Sequence, residues 1–126
     1  MTPIPTQLQS LLDRILAGSG LAAVVRQRWT QLEEISPQPG ADWVALDAVQ
    51  DPGNLGTILR TSDAVGAAGV ILLDQSTDPY DPTALRASMG AIFTQRIVKT
   101  SLAAFAAWKK ASGLPLIGTS GASQQD

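Results

Sequence analysis

Apolar positions divide the chain into stretches with helical or strand spacing. The first set recurs every three or four residues and predicts a one-faced helix that ends before a pair of glycines; its members are Leu8, Leu11, Leu12, Ile15 and Leu16. Residues 21–25 predict a strand, and Thr30 with Glu33 predicts a capping box on one short helical turn. The segment 36–40, which contains two prolines and a glycine, predicts a loop and a soft domain boundary.

Beyond residue 40 the pattern alternates regularly between strand and helix. Near-continuous apolar runs indicate strands buried on both faces. The predicted strands are 43–49, 70–73, 97–98 and 116–119, and the predicted helices are 55–67, 83–93 and 101–112. This β-α-β-α-β-α-β order predicts an α/β fold, with a parallel sheet and helices on both faces. Functional groups in such folds collect beyond the carboxyl ends of the strands. The segments at those ends are 50–54, 74–83, 100–101 and 119–121.

The composition excludes several classes of chemistry. The 126 residues include no Cys and no His, so disulfides, thiol nucleophiles, zinc sites and every mechanism with an imidazole base are ruled out. We expect no metal site. With 44% hydrophobic and 16% charged residues, the chain is expected to fold as one domain. Any catalysis must use carboxylate, cationic, hydroxyl, amide or backbone groups.

Charge is unevenly distributed along the chain. The net charge is −2, but residues 86–110 contain five bases and no acid, which leaves −7 elsewhere. The five bases are Arg86, Arg96, Lys99, Lys109 and Lys110. A run of this kind most often forms a solvated face, and it is also compatible with contacts to RNA phosphates.

No targeting or membrane segment is recognisable. The first residues lack the basic region and apolar core of a signal peptide. The longest apolar run, residues 65–73, is far shorter than the about 20 residues that a membrane span needs. We therefore expect a cytoplasmic protein that does not cross a membrane.

The turn at 51–56 joins the strand at 43–49 to the next helix and allows two interpretations. In one, Pro52 fixes φ, Gly53 permits a positive φ and Asn54 caps the helix. In the other, exposed amides at the helix N-terminus bind an anion such as phosphate. The turn is neither a dinucleotide fingerprint nor a P-loop, because the required glycine spacing and the Gly-Lys-Ser/Thr sequence are missing.

Arg60 occupies an unusual position for a helical arginine. It lies six residues after Asn54 and borders the apolar side of the helix. A positive charge near a helix N-terminus opposes the helix macrodipole. Either an i,i+3 ion pair with Asp63 accounts for this arginine, or Arg60 binds a phosphate beside the turn.

Four stretches carry a more specific pattern. Residues 46–66 read LDAVQDPGNLGTILRTSDAVG, and DPYDP at 78–82 is followed by RASMGAIF at 86–93. LIGTS at 116–120 and GLAAVV at 20–25 extend the pattern. The first stretch closely resembles the first motif of the SpoU (TrmH-like) branch of the SPOUT RNA methyltransferases, and the second resembles the Ser-x-Gly-Ala-x-Phe segment of that family. The resemblance covers roughly residues 20 to 121.

The resemblance implies transfer of a methyl group from S-adenosylmethionine to a ribose 2′-hydroxyl of tRNA or rRNA. The catalytic pair of the family corresponds to Asn54 and Arg60. Arg60 would help to deprotonate the hydroxyl and hold an adjacent phosphate, and Asn54 would position the arginine or the ribose. Because a guanidinium holds its proton strongly, a phosphate-assisted role is the easier one for Arg60.

Two further groups of residues follow from the same resemblance. Arg86 and Ser88 correspond to positions that would support the site or contact RNA. Thr119, Ser120 and Gly121 correspond to the beginning of the cofactor site.

The sequence departs from the family pattern after residue 121. The glycine- and glutamate-rich cofactor loop and the later motifs that build the family's trefoil knot are not matched. We therefore interpret residues 20–126 as a partial methyltransferase domain, truncated at its C-terminus, and residues 1–19 as a helix from the remnant or linker of a substrate-binding domain. This interpretation predicts weak or no binding of S-adenosylmethionine, and homodimer formation through an incompletely covered sheet.

Two other interpretations remain open. The first is a non-catalytic module that binds RNA or a partner through residues 86–110. The second is a receiver-like or nucleotide-binding α/β domain, for which Asp47 and Asp74 at the strand ends form a poor imitation of the required acidic cluster.

Overall fold

The structure is a computed structural model that describes residues 24–36 and 38–121. Strands and helices alternate along it, as the apolar pattern predicts. The strands are β1 (Trp43–Asp47), β2 (Gly69–Leu73) and β3 (Ile97–Thr100), and the α-helices are α1 (Pro52–Ala64), α2 (Pro82–Ala87) and α3 (Leu102–Ser112). Two short 3-10 helices cover Leu32–Glu34 and Ala91–Phe93. The predicted α/β class is confirmed.

The three strands form one parallel sheet in the order β1-β2-β3. Asp47 pairs with Leu73, and Leu73 pairs with Thr100. The carboxyl ends of all three strands therefore meet at one edge. Every residue of the central strand β2 is buried, because its neighbours cover both sides and apolar layers cover both faces. This burial accounts for the continuous apolar run at 70–73.

Two apolar clusters lie on opposite faces of the sheet. One joins α1 and the second 3-10 helix to the sheet through Leu55, Leu59, Val70, Leu72, Ala91, Ile92 and Ile97. The other joins α3 and the first 3-10 helix to it through Leu32, Ile35, Ile71, Leu73, Val98 and Phe105. Successive strand residues alternate between the clusters, as the pleat of a strand requires. The prediction of helices on both faces is confirmed.

The predicted helix at 83–93 is wrong as a single element. Helix α2 ends at Ala87, and Met89 and Gly90 take φ values of 51° and 89°. Left-handed residues end a helix, so the chain turns there and resumes as the 3-10 helix Ala91–Phe93. The turn directs the side chain of Ile92 into the core.

Two predicted strands are not found in the described residues. Val24 and Val25 are exposed and irregular, and residues 21–23 lie outside the described residues, as does the helix predicted at 8–16. The strand predicted at 116–119 is coil, with Ile117 89% exposed. An apolar run becomes a strand only when a neighbouring strand accepts its hydrogen bonds, and no described segment pairs with either run.

The capping box lies one residue later than predicted. The Gln31 amide donates to the Glu34 carboxylate over 2.8 Å. The Thr30 amide instead donates to the Ile97 carbonyl over 2.8 Å. Thr30 is therefore hydrogen-bonded to the edge strand β3, and Gln31 is the N-cap residue instead.

Candidate functional site

Helix α1 begins at the carboxyl edge of the sheet. Most backbone amides of its first turn already donate hydrogen bonds to groups of the same turn. The Asp51 carboxylate, not the Asn54 side chain, caps the helix by accepting from the Asn54 amide over 2.7 Å. The Leu55 amide donates to the Asp51 carbonyl over 3.0 Å, and Pro52 has no amide hydrogen. Only the Gly53 amide remains in this turn, beside a carboxylate that repels anions. The tight-turn interpretation of 51–56 is therefore confirmed only in part, because Asp51 and not Asn54 is the cap, and Gly53 lies inside α1 without the positive φ assigned to it. A phosphate cradle of backbone amides is not formed.

The Asn54 side chain is released for other contacts by this arrangement. It is exposed at the third position of α1 and makes no hydrogen bond within residues 24–36 and 38–121. Arg60 lies about 9 Å farther along the helix axis and about 120° around it. It is also exposed, and its guanidinium has no hydrogen-bond or carboxylate partner in the described part of the chain.

Of the two alternatives for Arg60, the ion pair with Asp63 is not formed. The Asp63 carboxylate accepts from Thr94 Oγ1 over 2.8 Å and from Gln95 Nε2 over 3.1 Å. These bonds fasten the C-terminal half of α1 to the segment before β3. Arg60 therefore presents a full positive charge that the described residues do not neutralise, as an arginine that binds an anion requires.

Helix α2 packs against α1 at Gly56. A Cβ atom at Gly56 would overlap the Ala84 carbonyl oxygen and lie 2.6 Å from Ala87 Cβ and 2.9 Å from Ser88 N. Only a glycine allows this approach. Because Arg60 follows Gly56 by one helical turn, the two lie on the same side of α1. The packing therefore places Arg60 beside the bend that ends α2.

Ser88 and Arg86 have different positions at this bend. Ser88 is 0% exposed, and its hydroxyl donates to the Leu85 carbonyl over 2.8 Å. Such a residue supports the packing of α2 but does not contact RNA in this conformation. Arg86 is exposed in the last turn of α2. The packing of α2 on α1 thus places Ser88 against α1, whereas Arg86 lies on the exposed side of α2 and Asn54 at the start of α1.

Thr119, Ser120 and Gly121 are exposed coil beyond α3. Nucleoside cofactors bind in concave sites that bury most of their surface. With the strand at 116–119 not formed, these three residues do not build such a site. The described residues therefore do not fit S-adenosylmethionine by themselves.

The five bases of residues 86–110 do not form one patch. Arg86 lies in the last turn of α2, which packs against α1, whereas Lys109 and Lys110 end α3 on the opposite face of the sheet. Lysines there complement the carbonyl end of the helix. The Arg96 guanidinium stacks over the Trp43 ring, 5.3 Å from its centroid. The prediction of a single RNA-binding stretch at 86–110 is therefore not supported.

Two contacts at the sheet were not predicted. Asp74 Oδ1 accepts from the Leu102 amide over 3.0 Å, which caps α3 and gives this acid a structural role. This removes one of the acids on which the receiver-like interpretation depends. The Tyr80 hydroxyl donates to the Arg28 carbonyl over 2.8 Å and accepts from the Arg28 amide over 3.0 Å. An isolated tyrosine in a polar loop was the only sequence signal for this second contact.

Neither a metal centre nor a membrane helix is found in residues 24–36 and 38–121. These residues contain no group of three or more His, Cys, Asp or Glu side chains able to hold a metal ion. None of their helices combines the length and hydropathy that a membrane crossing requires.

Comparison with known proteins connects this arrangement to a family. The profile of the SpoU rRNA Methylase family matches residues 43–126. The 23S rRNA (guanosine(2553)-2′-O)-methyltransferase RlmP of Bacillus subtilis is 42% identical over 74 residues, which are 59% of this chain and 30% of that protein. The 23S rRNA (uridine(2479)-2′-O)-methyltransferase of Streptomyces viridochromogenes is 32% identical over 117 residues, or 90% of this chain and 41% of that protein.

A solved structure shows the same likeness in three dimensions. The AdoMet-bound rRNA methyltransferase from Sinorhizobium meliloti has a TM-score of 0.67 and 48% identity, and the match covers 68% of this chain and 33% of that one. The chain thus spans less than half the length of each of these three relatives. The family profile covers more than half of the chain, and the chain belongs to the SpoU rRNA methylase family.

Proposed function

We propose that this protein serves in the transfer of a methyl group from S-adenosylmethionine to a ribose 2′-hydroxyl of RNA, with rRNA or tRNA as the substrate. The names of its relatives, two of them 23S rRNA 2′-O-methyltransferases, support the reaction class. The observation that carries the proposal is the exposed and unpaired state of Arg60 and Asn54, within the described residues, on the helix that follows β1.

Arg60 contributes electrostatic stabilisation in this proposal. In this reaction the 2′-oxygen forms a bond to the methyl carbon while the carbon–sulfur bond of the cofactor breaks and S-adenosylhomocysteine leaves. The hydroxyl proton passes to water or to an oxygen of the neighbouring phosphate, and negative charge develops on the 2′-oxygen as it leaves. A guanidinium binds a neighbouring phosphate through two parallel hydrogen bonds, which fixes the nucleotide and places a cation near that charge. The Asn54 amide offers one donor and one acceptor to the ribose or to the arginine. Arg86 contributes a second cation for RNA, and Ser88 holds the bend against α1.

The proposal can be tested with a chimera. Residues 1–121 are joined to the cofactor-binding portion of the Bacillus subtilis relative, and the product is incubated with tritiated S-adenosylmethionine and ribosomal or transfer RNA. We expect label in RNA, and we expect the modified position to resist alkaline cleavage, because the 2′-oxygen is the nucleophile in that cleavage. A folded chimera that binds the cofactor and methylates no RNA, or methylates only bases, would contradict the proposal.

The chain itself is expected to bind S-adenosylmethionine weakly. Thr119, Ser120 and Gly121 are proposed as the beginning of the cofactor site, but they are exposed coil. Isothermal titration calorimetry should give a dissociation constant of about 1 mM or weaker, a binding free energy of at most about 4 kcal/mol. A micromolar constant that Thr119→Ala does not change would contradict both the weak binding and the assignment of these residues.

We also propose that the chain forms a homodimer through apolar surface near residues 116–117. Ile117 and Leu116 are 89% and 59% exposed, and exposed apolar patches favour association. Light scattering over a concentration series should show a monomer–dimer equilibrium that Leu116→Lys with Ile117→Lys shifts to monomer. Val65→Lys is the control, since Val65 is 75% exposed elsewhere. A monomer at all concentrations would exclude the dimer.

Domain limits and location follow from the same proposal. Residues 20–126 belong to the methyltransferase domain and residues 1–19 to a linker or remnant of a substrate-binding domain. The bonds that join Thr30 to Ile97 and Arg28 to Tyr80 support a domain that begins before the region matched by the family profile. The RNA substrates named for the relatives support a cytoplasmic location.

A further inference from the structure

A groove separates the segment at residues 25–30 from β3 and the 3-10 helix before it. Two sets of hydrogen bonds define its wall: the Thr30 amide donates to the Ile97 carbonyl over 2.8 Å, and the Tyr80 hydroxyl both donates to and accepts from the Arg28 backbone. The volume of the groove is about 480 Å³. This lies within the usual size range of sites for small molecules and nucleotides.

Three arginines contribute positive charge to the walls of the groove. Arg26, Arg28 and Arg96 line it, with Glu34 as the one acid among its described lining residues. The Glu34 carboxylate already accepts the Gln31 amide. The backbone of Arg28 makes the hydrogen bonds to the Tyr80 hydroxyl. The Arg28 guanidinium takes no part in these bonds and is available to bind an anion. Arg96 stacks over the Trp43 ring, so the positive charge that no described side-chain contact engages comes from Arg26 and Arg28. This charge is complementary to phosphates.

Aromatic rings line the same groove. Trp29 packs edge-on against Tyr80, with ring centroids 5.4 Å apart and an interplanar angle of 73°. Phe93 is 64% exposed, although Ala91 and Ile92 of the same 3-10 helix are buried. An exposed phenylalanine beside arginines is a poor choice for a purely structural surface. Rings interleaved with cations suit unstacked bases, which stack on aromatic faces with little dependence on base identity.

The groove adjoins the candidate site through shared residues. Thr94 and Gln95 line the groove, and both donate to the Asp63 carboxylate on α1. Asp63 follows Arg60 by three residues, so the two side chains project from neighbouring positions of one helix. A strand of RNA that reaches Arg60 therefore passes close to the groove.

We infer that this groove binds a single-stranded segment of the substrate RNA, with phosphates on Arg26 and Arg28 and a base stacked on Phe93. The inference rests on the proposed function for the identity of the polymer. The groove adds affinity and placement, and it leaves the chemistry to the residues on α1.

Binding of a fluorescein-labelled oligouridylate of about ten nucleotides to the full chain tests the inference, by anisotropy over a series of salt concentrations. Arg26→Ala with Arg28→Ala should weaken binding about tenfold or more. It should also lower the slope of log affinity against log salt by about 1.4, since each arginine–phosphate interaction contributes about 0.7 to that slope. Phe93→Ala should weaken binding between about fivefold and a hundredfold, the range for removal of one stacking platform. Phe93→Tyr keeps a ring and should bind as the parent does.

Lys109→Ala with Lys110→Ala is the matched control, because it removes the same charge from the far end of α3. It should change affinity by less than about twofold at a given salt concentration. If both double variants lose the same affinity, net charge alone explains the loss, and the inference that RNA binds in the groove is wrong. No binding by the parent chain at low salt would also overturn it.

Two measurements separate this inference from the proposed function. If the chimera transfers methyl groups and the groove variants bind RNA as tightly as the parent, the groove inference is wrong and the proposed function stands. If the groove variants bind RNA more weakly but the chimera transfers no methyl group, the groove inference stands and the proposed function is wrong. A change in dimerisation by light scattering, with RNA affinity unchanged, would identify a second copy of the chain as the occupant and overturn the inference.

Discussion

Gly56→Ala is expected to destabilise the fold by about 2–4 kcal/mol, in spite of the better helix propensity of alanine. Alanine in a helix interior normally gains about 1 kcal/mol over glycine. Here the new Cβ would overlap the Ala84 carbonyl oxygen and lie 2.9 Å from Ser88 N. Backbone atoms cannot move aside as a flexible side chain can, so α2 must shift away from α1. Because two of the three close contacts are to backbone atoms, we expect a cost of about 3–5 kcal/mol, above the about 1–3 kcal/mol typical of overpacking, and it exceeds the gain in helix propensity. Thermal and urea unfolding monitored by circular dichroism measure the change.

Gly118→Ala is the control for this prediction. No atom lies within 4 Å of a Cβ built at Gly118, so its midpoint of unfolding should stay within about 2 °C of the parent, as for most exposed substitutions. The Gly56 variant should melt lower by roughly 8–16 °C, at about 4 °C for each kcal/mol in a domain of this size. A Gly56→Ala variant as stable as the parent would show that α2 is not held against α1 as described.

Arg60→Ala is expected to lower the turnover number of the methyltransferase chimera by about 10²–10³-fold, the usual effect of removing one group that stabilises charge in a transition state. Arg60 is exposed and makes no hydrogen bond within the described residues. The variant should therefore unfold at the same temperature as the parent chimera. Arg60→Lys keeps the charge but not the two-pronged contact to phosphate, and its rate should lie between the two. Initial rates of tritium incorporation at saturating cofactor provide the measurement.

Lys99→Ala is the matched control for Arg60. It also removes one exposed positive charge, from β3, and should alter the rate less than about threefold because exposed single charges contribute little. A rate for Arg60→Ala within threefold of the parent would exclude Arg60 as the residue that holds the phosphate. A slower rate with a matching fall in thermal stability would assign it a structural role instead.

The order of elements and both faces of the sheet were predictable, for reasons visible in particular residues. Val70, Ile71, Leu72 and Leu73 are buried from both sides, so their run is continuous and marks a central strand. The helix at 101–112 was predictable because Ser101 caps it and Gly113 ends it. These signals depend on a residue and its near neighbours in the chain.

Other predictions failed because they depended on residues distant in sequence. Ile117 lies in an apolar run as favourable for a strand as that of β3, but no described strand pairs with it. Arg60 and Asp63 have the spacing of an ion pair, but Thr94 and Gln95 take the carboxylate. Spacing permits a contact, and a competing partner decides whether it forms.

The candidate site shows the same division. The motif at 46–66 was sufficient to single out Asn54 and Arg60 and to indicate a family, because a long run of specific residues is itself a local signal. It could not show that Asp51 and not Asn54 caps α1, or that Ser88 is buried against Gly56. Those results depend on which groups the fold brings within a few ångströms, and so does the meeting of Arg28 with Tyr80 in the groove.

Local pattern therefore determined the elements and the candidate residues of this protein. Only the tertiary structure decided which of their side chains are already partnered and which remain available to RNA. The physical reason is one of range, because hydrogen bonds and close packing act over distances much shorter than the sequence separations that they join.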